Sequence, residues 1–310
     1  MGILVIGAVF VDIKGYPLEQ YIPGGRNVGR VIQVHGGVSR NVVEDIANVE
    51  LRPTYLSVVD HSGISDDVIS KLRKHKVNTD YIARTDDGLG TWLAVFDQTG
   101  DVVASISKRP ELEAIAEVLD EKGDEIVSAC DSIVVEIDME RHILKKVFDL
   151  AEKYGKEVFA VVSNMSLAME RRDLLTKSGC FVCNEQEAGM LFSVDCIDYS
   201  PEEMRDLLAE KVRVAQIPRM IVTMGGLGAV YASLNGESGI VPPQRVDVID
   251  TTGAGDAFFA GVSIGLTYGK GLGESCVIGT RLASAVIAST ENVIPRFRPE
   301  EFGIDMPVTD

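Results

Sequence analysis

Six short apolar runs, rich in β-branched residues, limit the fold of this chain more than any other feature. They are "ILVIGAV" (3–9), "YLSVVD" (55–60), "SIVVEI" (132–137), "EVFAVVS" (157–163), "CFVC" (180–183) and "RMIVTM" (219–224). None alternates between apolar and polar, so each reads as a strand buried on both faces, as in a parallel sheet covered by helices. Helical patterns lie between several of them, most clearly at 39–50, 64–75, 141–155 and 200–212. The last begins Ser200-Pro201 followed by two acids, residues that satisfy and complement a helix N-terminus. Strands alternating with helices predict an α/β fold with a mostly parallel central sheet covered on both faces.

Two stretches break the rhythm. Residues 13–35 are rich in Gly and Pro and then alternate, and residues 90–107 read as a hairpin around Gln98-Thr99-Gly100. Both alternate too clearly for central parallel strands, so they predict a small, separate β-sheet lying over the main one. Residues 1–12, 36–89 and 108–310 then form the core. Two apolar helices are expected near 255–269 and 274–289, where Gly261, Gly265, Gly269 and Gly273 recur every four residues and indicate close helix packing.

Composition removes several classes of function. Asp and Glu outnumber Lys and Arg by 47 to 30, a net charge of −17, and no basic run supplies a nucleic-acid surface. No signal-like leader opens the chain, and no uncharged stretch reaches the ~18 apolar residues of a membrane span. The expected setting is the cytoplasm. Cys130, Cys180, Cys183, Cys196 and Cys276 are an odd number in a large chain, which argues against a disulfide scaffold. Cys180 and Cys183 form a CxxC on a strand, where residues three apart face opposite sides.

The segment "DTTGAGDAFFAG" (250–261) sets acids, threonines and small residues directly before an apolar helix. Gly253, Ala254 and Gly255 carry almost no side chain, so their amides can approach a ligand closely. Those donors precede a helix N-terminus, which favours an anion. Asp256 falls in the first turn beside them. An acid next to an anion site makes sense if it holds a hydroxyl that attacks phosphorus; a tight turn with an acidic helix start is the structural alternative.

"DTTGAGDAFFAG" closely resembles the signature of the ribokinase-like (PfkB-type) carbohydrate and nucleoside kinases. "GGVSRN" (36–41) resembles the family's Gly-Gly-x-x-x-Asn segment, "NEQEAGMLF" (184–192) its Asn-x-x-Glu motif, and "TMGGLGAVY" (223–231) its nucleotide-contacting stretch. The likeness runs in order from Asp12 to about Pro295 and implies a three-layer α/β/α fold with a small β-sheet lid. It implies ATP-dependent transfer to a primary hydroxyl, with Asp256 as base and the amides of Gly253, Ala254 and Gly255 as anion hole. Asn184 and Glu187 would organise a water-bound Mg²⁺ around the ATP phosphates, although the same four residues also read as a solvated helix cap. Thr223, Gly225 and Gly228 would line the nucleotide side, with a glycine turn before a strand as the competing view. Asp250 and Thr252 match positions where family members bind a monovalent cation, often K⁺.

On the acceptor side, Asp12, placed at the end of the first strand, would bind two sugar hydroxyls with Gly36, Gly37 and Asn41 closing on the same ring. Glu136 is a further candidate. Thr91 and Trp92 on the lid are expected to face the substrate, Trp92 serving equally well in lid packing. "VDIKGYP" (11–17) and the Arg40-Asn41 pair resemble pseudouridine kinases most, so pseudouridine leads among acceptors. Phe10 stands where the family commonly has Asn, and "FAVVSNMSLAM" (159–169) lacks the acid and lysine of those enzymes. A ribokinase, a fructokinase or a degenerate nucleotide-binding regulator are the competing functions. A homodimer through the lid strands is expected, because exposed sheet edges invite partners.

Overall fold

The computed structural model describes residues 2–304. Its strands are β1 (Leu4–Ile6), β2 (Phe10–Pro17), β3 (Gly29–Gly36), β4 (Thr54–Val59), β5 (Asn78–Arg84), β6 (Gly90–Phe96) and β7 (Val102–Lys108) in the first part of the chain. There follow β8 (Ile133–Glu136), β9 (Val158–Val161), β10 (Cys180–Asn184), β11 (Arg219–Thr223), β12 (Ala229–Ser233) and β13 (Ser238–Val241). The main sheet has the order β13-β12-β11-β10-β9-β8-β1-β4-β5. It is parallel from β11 through β5, and β12 and β13 turn back antiparallel at one edge.

Both faces of this sheet are covered, which is why its central strands need no polar positions. Leu4 and Ile6 of β1 enter one apolar cluster, while Ile3 and Val5 enter the other. The same alternation separates Cys183 from Cys180 on β10, and all five cysteines are buried and free. Each such apolar side chain removed from water contributes ~1.5–3 kcal/mol before chain entropy is counted. Helices appear at Val38–Asn48, Gly63–Lys74, Arg141–Tyr154 and Pro201–Ala215, close to the four periodic segments. Ser200 accepts from the Glu203 amide while Glu203 accepts from Ser200, a reciprocal cap that fixes the last of these.

Several elements were not anticipated. The helix Glu113–Ala129 buries a broken stripe of Ile115, Leu119, Ile126 and Val127 between acids. Strands β5 and β13 are the two edges of the sheet, where partial exposure lets polar residues interrupt the apolar pattern.

A second sheet has the order β3-β2-β6-β7. Its hairpin turn closes as Asp97 Oδ1 accepts from the amides of Thr99 (2.9 Å) and Asp101 (3.0 Å). This sheet begins earlier than expected. The first main-sheet strand stops at Ile6, so Asp12 lies within β2 of the small sheet rather than at the end of β1. Beyond the sheets, the helices Ala254–Thr267 and Leu272–Ile287 pack at Gly261, Gly265 and Gly279, whereas Gly269 lies between them with open space around it and Gly273 meets Tyr231 of β12. A Cβ on Gly261 would lie 2.6 Å from Gly279 Cα, so backbone meets backbone there. No described helix is long and apolar enough to cross a membrane.

That contact sets two effects against each other. Gly261→Ala removes a helix-weakening glycine, a gain of up to ~1 kcal/mol, but forces the helices apart at a typical overpacking cost of ~1–3 kcal/mol. A lower Tm is expected on thermal unfolding, and an unchanged or higher Tm would contradict the close approach.

Candidate active site

The helix Ala254–Thr267 starts at a backbone corner that only glycine fits. Gly253 has φ 85° and ψ −6°, and a Cβ there would fall 2.2 Å from the Asn292 carbonyl oxygen. The Ala254 amide donates to Thr251 O at 3.2 Å. This corrects the expectation that Ala254 contributes to an anion hole, because the turn itself occupies that donor. The amides of Gly253, Gly255 and Asp256 have no acceptor among the described residues. They remain as donors at the positive end of the helix.

Asp256 projects from the first turn and is half-buried. Its Oδ2 accepts from Asn41 Nδ2 at 2.6 Å, across 215 residues of sequence. Burial raises the Asp256 carboxyl to about 6; the Asn41 hydrogen bond and the Arg40 charge work against the rise, and Asp12 adds to it. The carboxylate is therefore the main form at neutral pH, yet a better proton acceptor than an ordinary Asp.

A cleft of about 520 Å³ opens in front of Asp256. Asp12, Gly37, Asn41, Trp92, Glu136 and Thr252 line it, with Gly253 at its edge. Asp12 and Trp92 are direct neighbours in the β2–β6 register, so the small sheet supplies one wall. Gly36 does not line the cleft but makes room for it, since a Cβ there would strike Asp12 Oδ1 at 2.6 Å. Burial raises the Asp12 carboxyl, and Lys14 and Arg40 partly offset this. Thr91 lines neither this cleft nor the next, because strand alternation sends it to the face opposite Trp92. Glu136 is buried and accepts from the Ser39 amide at 2.9 Å; burial first, then the Asp138 charge, raises it to about 7.

Sequence reasoning missed several cleft residues: Ser107, Arg109, Ser163, Asn164 and Asn292. Arg109 is held by Asp138 Oδ2 at 3.1 Å, and Ser163 Oγ donates to the same oxygen at 2.7 Å. These residues come from separate loops and strand ends, and no local spacing joins them.

A second cleft, of about 600 Å³, lies on the other side of the corner. Thr223, Gly225 and Gly228 line it, and Val246, Phe258 and Ile287 give it an apolar wall. Ala254 and Gly255 belong to this cleft while Gly253 and Asp256 belong to the first. One helix N-terminus thus serves both. Asn184 and Glu187 line neither; they form a reciprocal cap, with Asn184 Oδ1 accepting from the Glu187 amide and Glu187 Oε2 from the Asn184 amide, both at 2.9 Å. Asp250 Oδ1 accepts from the Thr252 amide at 2.9 Å, which commits that carboxylate to the loop.

The fold is that of ribokinase from Arabidopsis thaliana complexed with ribose and ATP, at a TM-score of 0.82 and 18% identity, covering 95% of each chain. A match to a kinase family over nearly the whole chain makes the protein an ATP-dependent sugar or nucleoside kinase, and two clefts meeting at one helix N-terminus accord with that. The model of the pfkB family of carbohydrate kinases matches residues 2–296, and the chain belongs to that family. It is 33% identical over 292 residues to guanosine-inosine kinase of Exiguobacterium acetylicum, covering 94% of this chain and 95% of that one. It is 26% identical over 275 residues to pseudouridine kinase of Escherichia coli (strain K12), covering 88% and 86%.

The raised carboxyl of Asp256 has a stability consequence. Its folded value of about 6 exceeds the unfolded value of ~3.9, so folding disfavours the ionised form. The penalty is complete above the folded value and disappears as pH falls through 6 toward the unfolded value. Asp256→Asn is expected to raise Tm at pH 8, with the gain shrinking toward pH ~4. Absence of any gain at pH 8 would show that the carboxylate is not strained by its burial.

Proposed function

We propose that the chain transfers the γ-phosphoryl group of ATP to the 5′-hydroxyl of a ribonucleoside, with a purine ribonucleoside such as guanosine or inosine ahead of pseudouridine. The observation that carries this reading is the shared corner, with Asp256 facing one cleft and Gly255 the other. The acceptor oxygen bonds to the γ-phosphorus as the bond to the β,γ-bridging oxygen breaks, leaving ADP. Phosphoryl transfer has a loose transition state, so Asp256 needs only to orient the hydroxyl and take its proton late. The free amides of Gly253, Gly255 and Asp256 stabilise charge on the phosphoryl oxygens.

Asp12, with its paired acceptor oxygens, suits two ring hydroxyls, and Asn41 and Gly37 adjoin the same position. Phe10 and Trp92 offer aromatic surface in that cleft, which favours a base-bearing acceptor over a free sugar. Similarity to guanosine-inosine kinase supports a purine. Similarity to pseudouridine kinase and the "VDIKGYP" run support the second reading.

Among the described residues no group of three or more His, Cys, Asp or Glu could ligate a metal. Mg²⁺ keeps its waters and takes phosphate oxygens, so it needs no such group of protein ligands; Glu187, whose carboxylate caps its own helix outside both clefts, would meet it only through water. Bound there, Mg²⁺ would neutralise the phosphate charge. Asp250 and Thr252 would meet K⁺ through backbone oxygens, since the Asp250 side chain is engaged by Thr252. The small sheet acts as lid and as dimer surface: Val31 of β3 and Ile106 of β7, on its two edge strands, are 68% and 69% exposed.

An ATP-consumption screen against guanosine, inosine, adenosine, pseudouridine, uridine, ribose and fructose tests the acceptor. Guanosine or inosine is expected to give the highest kcat/KM, with kcat in Asp256→Asn reduced at least ~10²-fold. Preference for ribose or fructose would remove the nucleoside reading, and near-normal turnover in the variant would remove Asp256 as base. Sedimentation at micromolar concentration is expected to show a dimer; a strictly monomeric profile would dismiss pairing through the lid.

A further inference from the structure

Arg40 is 1% exposed and Glu44 fully buried, an ion pair at 2.6 Å within the helix Val38–Asn48. Removing such charges from water is costly and seldom raises stability. The pair therefore calls for another explanation, and the geometry of its surroundings supplies one.

The guanidinium is shared among four acceptors. Nη1 donates to Glu44 Oε2, Nε to Gly36 O at 3.3 Å, and Nη2 to both His35 O and Asn41 Oδ1. Asn292 Nδ2 also donates to Asn41 Oδ1 at 3.3 Å and to His35 O at 2.8 Å. Asn41 Oδ1 thus faces two sets of donors, and a flipped carboxamide would place N–H groups against N–H groups. Only one orientation remains, and it directs Nδ2 onto Asp256.

We infer that Arg40, locked by Glu44, is a positioning residue that sets the Asn41 carboxamide and through it the orientation of Asp256. The inference rests on the reading of Asp256 as proton acceptor. Glu44 is itself braced from outside, its Oε1 lying 3.0 Å from Lys71 Nζ and 3.7 Å from His75 Nδ1. A polar chain therefore runs from the surface of the Gly63–Lys74 helix to the reaction centre. The same guanidinium holds His35 and Gly36, where β3 joins the core. The place of the small sheet and the aim of Asp256 are consequently governed by one side chain. Lysine cannot replace it, because an ammonium lacks the planar fork that reaches all four acceptors.

Asp256 is faced by Arg40 and Asp45 from the helix Val38–Asn48 and by Asp12 from β2. Of these, only Arg40 favours the ionised carboxylate. Loss of Arg40 thus frees the Asn41 amide and raises the titration of Asp256 together.

The test uses the full chain with two variants, Arg40→Met and Arg40→Met/Glu44→Gln. The single variant leaves Glu44 buried without its close partner and is expected to lose thermal stability; the double variant removes both charges and recovers it. In both, kcat with guanosine or inosine is expected to fall on the order of 10²-fold, with KM for ATP little changed. The Asp256 carboxyl, followed by ¹³C NMR with Asp256→Asn assigning its signal, should titrate at a higher pH than in the parent. A folded double variant that keeps kcat within about threefold of the parent would make the pair merely structural. Should the parent phosphorylate none of the nucleosides, the acceptor reading fails, and the same kcat comparison is made with whichever sugar the screen shows to be phosphorylated. A fall on the order of 10²-fold in the folded double variant then upholds the role of Arg40, and an unchanged kcat overturns it.

Discussion

The left-handed turn at Gly253 is the constraint on which the site depends. Packed against the Asn292 carbonyl, this residue ends the incoming loop and starts the helix in one step, leaving several amides without acceptors. A side chain would push the corner away from Asn292, and Asn292 is also a partner of Asn41. One steric contact therefore connects the anion site, the carboxamide beside Asp256 and the join to the small sheet. The parallel sheet behind it acts as a base buried on both faces, its central strands dominated by apolar residues of two clusters.

Electrostatics around the corner form two layers with different tasks. The inner carboxyls of Asp12, Glu136 and Asp256 are all raised chiefly by burial. The outer pair of Arg40 and Glu44 is charged and satisfied on most sides, and the Glu44 carboxyl stays below its ordinary value: burial would raise it, but Arg40 and Lys71 outweigh that. Asp45 lies between the layers, fully buried and raised by that burial, with only the Ile294 amide at 2.8 Å on one oxygen. Burial there opposes ionisation, which would add a further negative charge beside Asp256.

Much of this was legible in the chain because it is written in local chemistry. Unalternating apolar runs mark strands buried on both faces, and Gly-Ala-Gly-Asp before an apolar run marks a helix start, where the structure leaves several amides open. What escaped depends on distant contacts. Asp12 was assigned to the wrong strand because Gly7 to Val9 continue the apolar run after pairing has ended at Ile6. Thr91 was grouped with its neighbour although the pleat separates them. Ala254 was counted as a free donor, and only the turn back to Thr251 shows that it is occupied. Arg109, Ser163 and Asn292 reach the cleft from segments that no spacing rule connects. The edge strands went unread because a strand with one wet side loses the pattern that identified the others.

The division of the Asp256 cleft between the small sheet and the helical core affects what could react there. Asp12 belongs to β2 and Asp256 to the helical core, and the Asp12 charge adds to the rise of the Asp256 carboxyl. A polyhydroxylated guest can satisfy both at once and draw the two halves together. A water molecule offers one oxygen to two carboxyls, so it satisfies them less fully than a guest with several hydroxyls. Thrift with ATP, in such an enzyme, is a matter of reach.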